Sequence, residues 1–420
     1  MLALEFIRRN ADQVRRAAEL KGEPAPVDEI LRLDGVWRGH LSKAETIKAE
    51  QNKLSREFAK SRDETMKERL RQMAGTAKSE LAVADAVKRE LDGLLLQVPN
   101  VFHESVPIGE TEADNVVTRE WGSKPDLGFA PRTHFDLGEA LGILDFEHAA
   151  RVTGSRFAFL LGEGARLERA LAQFMLDVHT LEHGYKEVWA PMLVNSASMV
   201  GTANLPKFAD QAFKVEERDL WLIPTAEVPV TNYHRDEILD GDLLPLKYVA
   251  YAPSWRTEAG AAGKDTRGFI RLHQFSKVEL VKVTTAEQSL DEFEKLTRDA
   301  EDILQRLGLH YNVMAMCTGD MGFAQYKKYD LNAWAPGLDR YLEVSSCSTF
   351  NDFQAMRANI RYRLGRGAAP KFAHTINGSG LALPRTIDAI LETYQRADGM
   401  ISVPEALKPY MGGVELIGAR

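Results

Sequence analysis

Residues 269–283 read FIRLHQFSKVELVKV, and polar and apolar side chains alternate over most of this stretch. Successive side chains of a β-strand point to opposite faces of the sheet, so one face of this strand would pack in a core. That apolar face consists of Ile270, Leu272, Val278 and Leu280. The other face collects residues able to bind a ligand: Arg271, His273, Phe275, Lys277 and Glu279. The ordinary interpretation of such a pattern is a polar face exposed to solvent. Other motifs must decide whether this face is merely solvated or binds a ligand.

A second strand candidate, residues 246–256, precedes this stretch and ends at Arg256-Thr257-Glu258. A Gly- and Ala-rich loop joins the two strands, which predicts an antiparallel hairpin with charged residues at both feet. The chain has no Gly-x-x-x-x-Gly-Lys-Ser/Thr loop, and the glycines from Gly260 to Gly268 do not follow the dinucleotide-binding pattern. A nucleotide would therefore have to be held by other groups.

Two long helices are predicted upstream, because apolar residues recur there with alternating steps of three and four. His40, Gln51 and Glu80 are polar interruptions of this pattern. The polar stretch 60–65 separates the two runs and lets the chain fold back, and Pro99 ends the second helix. The apolar positions are Ile30, Leu33, Trp37, Ala44, Ile47, Leu54 and Phe58, then Leu70, Met73, Ala77, Ala84, Val87, Leu91, Leu94 and Val98.

The middle of this helical hairpin is basic in an acidic protein. The chain has a formal charge of -8, yet Arg38 to Gln72 contain ten Lys/Arg against six Asp/Glu. A basic tip suits a phosphate backbone. Periodicity alone is equally typical of a dimerisation or spacer coiled coil, and charged coiled-coil faces are commonly just solvated.

Length and composition indicate how many domains the chain forms and in which compartment it is expected. With 420 residues, 44% of them hydrophobic, two domains are expected: the helical arm over 1–104 and a second domain over 105–420. Cys317 and Cys347 cannot build a disulfide framework or a multi-cysteine zinc site, which favours a reduced, cytoplasmic setting. The sequence predicts neither a signal peptide nor a membrane span.

Several motifs together resemble the class II aminoacyl-tRNA synthetases and, within them, the bacterial-type seryl-tRNA synthetase family. The hairpin from Arg256 to Glu279 is similar to the second signature motif of that class. Residues 185–191 and 378–385 resemble the first and third motifs. Thr225-Ala226-Glu227-Val228-Pro229 and Glu343-Val344-Ser345-Ser346-Cys347-Ser348 narrow the resemblance to the serine enzyme.

The resemblance implies an α+β fold, in which the helical hairpin is followed in sequence by a catalytic domain built on an antiparallel sheet. It also implies a ligase that activates L-serine with ATP and Mg²⁺ and transfers the seryl group to tRNA(Ser). A homodimer is expected, with the N-terminal arm gripping the tRNA. The alternative within the family is a paralogue acting on another small amino acid or acceptor. A non-catalytic scaffold would tolerate loss of Arg256, Glu279 and Arg385, but all three are present.

The family's functional residues carry over to this chain position by position. Arg256 would bind the α-phosphate, Phe275 would stack on adenine, and Arg385 would face the polyphosphate. Glu343 and Ser346 would ligate Mg²⁺; since an i, i+3 pair in a regular strand points to opposite faces, this requires a β-bulge. The serine site would consist of Thr225, Ala226, Glu227, Glu279, Asn377 and Ser379. The ATP site would consist of Arg256, Thr257, Glu258, Arg271, Leu272, Phe275, Glu343, Val344, Ser345, Ser346 and Arg385.

Four residues depart from the family pattern. Pro384 stands where glycine is usual before Arg385, and Met356 where arginine is usual. Asn332 and Ala333 replace a usual Glu-Val. These departures are compatible with a specialised paralogue, and none is expected to touch the assigned roles.

Overall fold

A computed structural model describes residues 1–259 and 268–418 of the chain. It divides into two compact units, Met1–Val101 and Phe102–Arg420. The Gly- and Ala-rich loop of the predicted hairpin lies almost entirely outside the described residues.

Helices and strands alternate along the second unit, whereas the first unit is entirely helical. The helices, numbered in chain order, are α1 (Leu4–Arg9), α2 (Ala11–Leu20), α3 (Val27–Ser61), α4 (Glu64–Leu95), α5 (His134–Ala140), α6 (Phe146–Thr153), α7 (Gly162–Leu181), α8 (Ser196–Gly201), α9 (Glu227–Asn232), α10 (Ser289–Arg306), α11 (Phe353–Ala358) and α12 (Leu383–Thr393). The strands are β1 (Val116–Trp121), β2 (Leu144–Asp145), β3 (Phe159–Leu160), β4 (Lys186–Glu187), β5 (Leu193–Val194), β6 (Trp221–Leu222), β7 (Ile238–Asp240), β8 (Leu246–Trp255), β9 (Gln274–Thr284), β10 (Tyr311–Ala315), β11 (Lys327–Ala335), β12 (Arg340–Thr349), β13 (Arg361–Arg363), β14 (Lys371–Phe372), β15 (His374–Ala382), β16 (Ile401–Ser402) and β17 (Leu416–Ile417).

The first unit is dominated by the hairpin of α3 and α4. Arg62 adopts the left-handed conformation at the turn, and the Asp63 carboxylate caps α4 by accepting the Thr65 N–H at 2.9 Å. All predicted seam residues are buried or half-buried, so the periodicity located the helix contact correctly. The second helix ends at Leu95, three residues earlier than Pro99 alone suggested.

The polar interruptions of the seam form hydrogen bonds across the hairpin. His40 Nδ1 lies 2.6 Å from Glu80 Oε2, and the Gln51 side-chain amide donates to the Leu70 carbonyl at 3.3 Å. Because each of these contacts joins one residue of α3 to one of α4, together they favour a single register of the two helices.

The second unit is built on a sheet whose described strands lie in the order β1-β10-β11-β12-β15-β9-β8-β4. Neighbours are antiparallel except β4 and β8, so the predicted α+β class with an antiparallel sheet is confirmed. Helices α7, α10 and α12 pack against the sheet and bury an apolar core with it. The sheet brings β9, β12 and β15, which are distant in sequence, side by side.

One predicted segment differs in the structure. The strand beginning at Phe269 starts only at Gln274, because residues 269–273 are held outside the sheet, with the His273 N–H bound to the Arg156 carbonyl. Elsewhere, β1 forms one edge of the main sheet by pairing with β10. At the other edge, Lys186 and Glu187 of β4 pair with β8.

Within the described residues, Cys317 and Cys347 are free and buried. The described helices include none with the length and apolar character needed to cross a membrane. Over the same part of the chain, His, Cys, Asp and Glu residues form no cluster of three or more suited to a metal ion.

Candidate active site

A cavity of about 570 Å³ opens on the sheet where β9, β12 and β15 adjoin. Most of the residues predicted for the serine and ATP sites line it, although they come from five separate parts of the sequence. Two predicted residues do not: Ala226 is buried in a neighbouring apolar cluster, and the Thr257 hydroxyl donates to the Asp210 carbonyl at 2.6 Å. The predicted residues that line it are Thr225, Glu227, Arg256, Glu258, Arg271, Leu272, Phe275, Glu279, Glu343, Val344, Ser345, Ser346, Asn377, Ser379 and Arg385.

One end of the cavity is organised around Glu279, which is only 1% exposed. The Thr225 hydroxyl donates to Glu279 Oε2 at 2.5 Å, and the Asn377 amide donates to Oε1 at 3.4 Å. Lys277, two residues earlier on the same strand face, forms an ion pair with the carboxylate. Ser379 lies directly opposite Glu279 on β15. This end therefore holds a buried carboxylate surrounded by donors.

A second carboxylate, Glu227, lies at the same end, at the start of α9. Burial and the nearby charge of Glu279 raise the pKa of Glu227 to about 7. The Gln354 amide partly opposes this shift by donating to Glu227 Oε1 at 2.6 Å. Two acids beside one lysine leave this end with an excess of negative charge, which suits a cationic group of a ligand.

The middle of the cavity is formed by the residues at the end of β8 and at the start of β9. The Arg256 guanidinium lies over the Phe275 ring, 5.2 Å from its centroid, and Arg256 Nε donates to the Pro224 carbonyl at 3.2 Å. Arg271 forms an ion pair with Glu258 at 2.9 Å. An aromatic face and two guanidinium groups are thus side by side, a combination that suits a base and its phosphates.

At the other end, Arg385 in the first turn of α12 joins two elements of the site. Its Nε donates to the Ile270 carbonyl at 3.0 Å, and Nη1 donates to the Glu343 carbonyl at 2.8 Å. The Glu343 side chain is 45% exposed, and Nη1 lies 3.4 Å from its carboxylate. The charges of Arg385, Lys328 and Arg256 lower the pKa of Glu343.

The bulge required by Glu343 and Ser346 is present in β12. Glu343 pairs with Asn332 and Ser345 pairs with Leu331, so Val344 is the extra residue. The extra residue shifts the alternation of side chains between the two faces of the sheet, so that Glu343 and Ser346 both line the cavity. Asp330 lies opposite Ser346 on β11; one of its carboxylate oxygens is buried without a described hydrogen-bond donor, and burial raises its pKa to about 6.

A buried acid cluster lies behind Arg385. His134 Nδ1 is 2.7 Å from Glu392 Oε1, and His134 Nε2 is 3.7 Å from Asp388 Oδ2. Neither oxygen of Asp388 accepts a hydrogen bond from a described residue. Burial raises the pKa of Asp388 to about 7, although the charges of His134 and Arg385 act in the opposite direction.

Sequence reasoning missed the roles of some residues at the site. Lys277 belongs to the polar face of the predicted strand but has no predicted role. The sequence around Lys328 and Gln354 contains no motif that would assign either residue to the site. Gln354 does not line the cavity but bonds to a residue that does. Their positions depend on how distant segments pair, which sequence spacing does not encode.

The departures from the family pattern are closer to the site than expected. Pro384 lines the cavity, and Asn332 is the cross-strand neighbour of Glu343. Ala333 is buried in the core, while Met356 is half-buried on α11 and is not among the described lining residues. Pro384 therefore lies at the site itself, while the expectation that none of the four affects the assigned roles stays a prediction.

The antiparallel sheet, the β8–β9 hairpin with Arg256 and Phe275, and Arg385 at the start of α12 define the catalytic unit of a class II aminoacyl-tRNA synthetase. Comparison with known proteins agrees with this class. Residues 212–394 match the tRNA synthetase class II core domain (G, H, P, S and T), and residues 1–102 match the seryl-tRNA synthetase N-terminal domain. The chain belongs to the seryl-tRNA synthetase family.

Relatives of known name match over nearly the whole chain. The serine-tRNA ligase of Caldanaerobacter subterraneus subsp. tengcongensis is 53% identical over 98% of both chains. The crystal structure of seryl-tRNA synthetase from Pyrococcus horikoshii, complexed with ATP, superposes with a TM-score of 0.95 at 39% identity over 99% of each chain. That of the cytoplasmic serine-tRNA ligase from Naegleria fowleri, in complex with AMP, gives a TM-score of 0.89 at 32% identity, covering 99% of this chain and 98% of the other. The alternative of a different acceptor or amino acid is not favoured, since the match includes the arm.

Proposed function

We propose that this chain is an ATP-dependent serine-tRNA ligase, which forms seryl-adenylate and then transfers the seryl group to tRNA(Ser). The observation that carries the proposal is the polarity of one cavity, with buried acids at one end and arginines at the other. Serine presents an ammonium and a hydroxyl, while ATP presents phosphates, so the two substrates match opposite ends. Their reacting groups would then meet between Glu279 and Arg256.

The acidic end holds serine in this proposal. Glu279 and Glu227 attract the ammonium, and Thr225, Asn377 and Ser379 supply polar atoms for the hydroxyl and carboxylate. Ala226 acts indirectly, as a small buried residue that keeps Thr225 and Glu227 in place. An analogue without the hydroxyl would leave buried polar groups unpaired, which supports selectivity for serine over alanine.

The basic end holds ATP. Adenine stacks on Phe275, displacing the Arg256 guanidinium from that ring face toward the α-phosphate, where charge develops during attack by the serine carboxylate. Arg385 neutralises the departing pyrophosphate. Glu258, Arg271 and Leu272 shape the nucleotide pocket, and Thr257 anchors the strand end through its bond to Asp210.

The residues present fit Mg²⁺. Glu343 offers a carboxylate kept ionised by nearby cations, Ser346 offers a hydroxyl, and both line the cavity because of the β12 bulge. Mg²⁺ commonly takes one or two protein oxygens and completes its shell with phosphates and water. The ion would neutralise phosphate charge when bound, and Val344 and Ser345 would hold the bulge.

The remaining parts of the proposal concern partners and location. The exposed basic residues of the arm, residues 1–104, support a role for the arm in binding tRNA(Ser), while residues 105–420 would form the catalytic domain. Trp189 and Leu181, exposed by 83% and 81% close to the first signature motif, support a homodimer contact there. The two free cysteines support a reducing, cytoplasmic setting.

The test is serine-dependent exchange of pyrophosphate into ATP, followed by aminoacylation of total tRNA. Serine should support both reactions, and glycine, alanine and threonine should support them at least about tenfold less well. Equal or better activity with another amino acid, or exchange without any charging of tRNA, would reject the proposal.

A further inference from the structure

Gln354 is a buried residue, 1% exposed, whose amide is bonded on both sides. It is the second residue of α11, outside the cavity lining. Its Nε2 donates to Glu227 Oε1 at 2.6 Å, and its Oε1 accepts the Thr375 hydroxyl at 2.7 Å. Gln354 thus links a strand of the main sheet to a carboxylate that lines the cavity.

The two hydrogen bonds assign the direction of the amide. An ionised carboxylate only accepts hydrogen bonds, so it needs the NH₂ group of Gln354 facing it. The Thr375 hydroxyl donates to the opposite end of the amide, and this keeps the carbonyl turned away from Glu227. A buried amide with both ends occupied has little freedom to rotate.

The charges around Glu227 explain why a neutral donor is suited to this position. Glu279 and Lys277 face it from β9, and Arg256 faces it from the end of β8. Lys277 already forms an ion pair with Glu279. A cation in place of Gln354 would form an ion pair with Glu227 directly and cancel its charge, whereas an amide stabilises the carboxylate without neutralising it.

We propose that Gln354 is a positioning residue for serine, which aims the Glu227 carboxylate into the cavity as an uncancelled negative charge for the substrate ammonium, with Thr375 fixing the amide. This inference rests on the proposed function, in which serine binds at the acidic end. It predicts that Gln354 affects serine and not ATP, although it touches neither substrate.

The test compares variants of the full chain in pyrophosphate exchange, with KM measured separately for serine and ATP. Gln354→Met removes the donor at similar volume. It should raise the KM for serine roughly tenfold or more, as expected for a lost hydrogen bond to a charged group, and change the KM for ATP less than about twofold. Thr375→Val should give a smaller effect of the same kind, and Thr375→Ser, which keeps the hydroxyl, should restore near-normal serine affinity.

The pH profile distinguishes positioning from simple packing. The Gln354 hydrogen bond lowers the pKa of Glu227, so its loss lets burial and Glu279 raise that pKa further above about 7. Gln354→Met should therefore move the rising limb of kcat/KM for serine to higher pH than in the parent chain.

Three results would overturn the proposal. They are an unchanged KM for serine in Gln354→Met, equal losses for serine and ATP, and a pH profile that coincides with that of the parent chain. If Gln354→Met does not fold, as judged by its melting temperature, Thr375→Val and Thr375→Ser decide, and equal serine affinity of these two variants counts against the proposal. Failure of the proposed function itself appears differently, as absence of serine-dependent exchange by the unmodified chain.

Discussion

The helical arm and the catalytic unit distribute their charges in opposite ways. The ten basic residues from Arg38 to Arg71 are all exposed, nine of them on α3 and α4 and Arg62 in the turn between the helices. In the catalytic unit, Glu279, Lys277 and Lys282 are buried and paired with neighbours. Exposed charges each contribute little and act as a group, whereas a buried charge is fixed and costly to leave unpaired. Single substitutions should therefore matter most in the cavity, and only collective changes should matter in the arm.

The largest single-residue effect is expected at Glu279. In Glu279→Ala, Lys277, Thr225 and Asn377 lose their common acceptor and the serine ammonium loses its buried partner. This costs roughly 2 to 4 kcal/mol of transition-state stabilisation, or about thirtyfold to a thousandfold in kcat/KM for serine. Pyrophosphate exchange measures the loss, and tRNA binding by the same variant serves as the control. Near-normal exchange would remove Glu279 from the serine site.

The arm should show its role only when many residues change at once. His40 and Glu80 meet across the hairpin, so residues 43–78 can be replaced by a short Gly-Ser turn just beyond this contact. We expect serine-dependent exchange to persist while tRNA charging falls by about tenfold or more, and tRNA binding to lose most of its salt dependence. Unchanged charging and salt dependence would make the arm a structural coiled coil.

A matched pair of variants tests whether charge is the cause. Lys48, Lys53 and Arg56 are exposed on α3, as are Glu45, Glu50 and Glu57. Changing the three basic residues to Gln should weaken tRNA binding, and changing the three acidic residues to Gln should strengthen it. Equal effects of the two triple variants would show that helix stability, rather than charge, is being measured.

The next prediction concerns stability, and it tests the cost of a buried charge in the catalytic unit. Burial raises the folded pKa of Asp388 from 3.8 to about 7, so the folded chain binds this proton more tightly than the unfolded chain, and stability is lost progressively as pH rises between these two values. Asp388→Asn removes the ionisation, and it should stabilise the protein by about 2 to 3 kcal/mol more near pH 8 than near pH 5. Melting temperatures at the two pH values measure this, and an effect independent of pH would contradict it.

The smallest effect is expected at Met356. Its side chain is half-buried on α11 and does not reach the lining of the cavity. Met356→Arg, which restores the residue usual in the family, should change serine activation by less than about threefold. A hundredfold gain would instead show that the natural chain is a weakened or repurposed copy.

The sequence predicted the arm well because helix contacts follow a local period. Every seam position from Ile30 to Val98 is at least half-buried, although the end of α4 was placed three residues late. The same approach failed for residues 269–273, where alternation suggested a strand. Contacts from His134 and Arg156 hold that segment away from the sheet, and those partners are more than a hundred residues away.

The predicted family and enzyme class are confirmed by the comparisons, whereas the individual residue roles stay predictions. The motifs carried the identities of Arg256, Glu279 and Arg385. The requirement for a bulge in β12 followed from strand geometry once the resemblance had paired Glu343 with Ser346. The partnership of Gln354 with Glu227 could not be foreseen, since it depends on where α11 lies beside α9. Lys277 was visible in the alternation, but only the three-dimensional pairing shows that it balances Glu279.

The exposed Trp189 has a thermodynamic consequence for the proposed dimer. Covering an apolar ring releases its hydration water and lowers the heat capacity of the system, so the strength of subunit pairing will vary with temperature. Added salt has little effect on such a contact, because no ions are released when it forms. Cooling should therefore weaken the proposed subunit contact and leave the affinity for tRNA nearly unchanged. Raising the ionic strength should weaken tRNA binding and leave the subunit contact nearly unchanged.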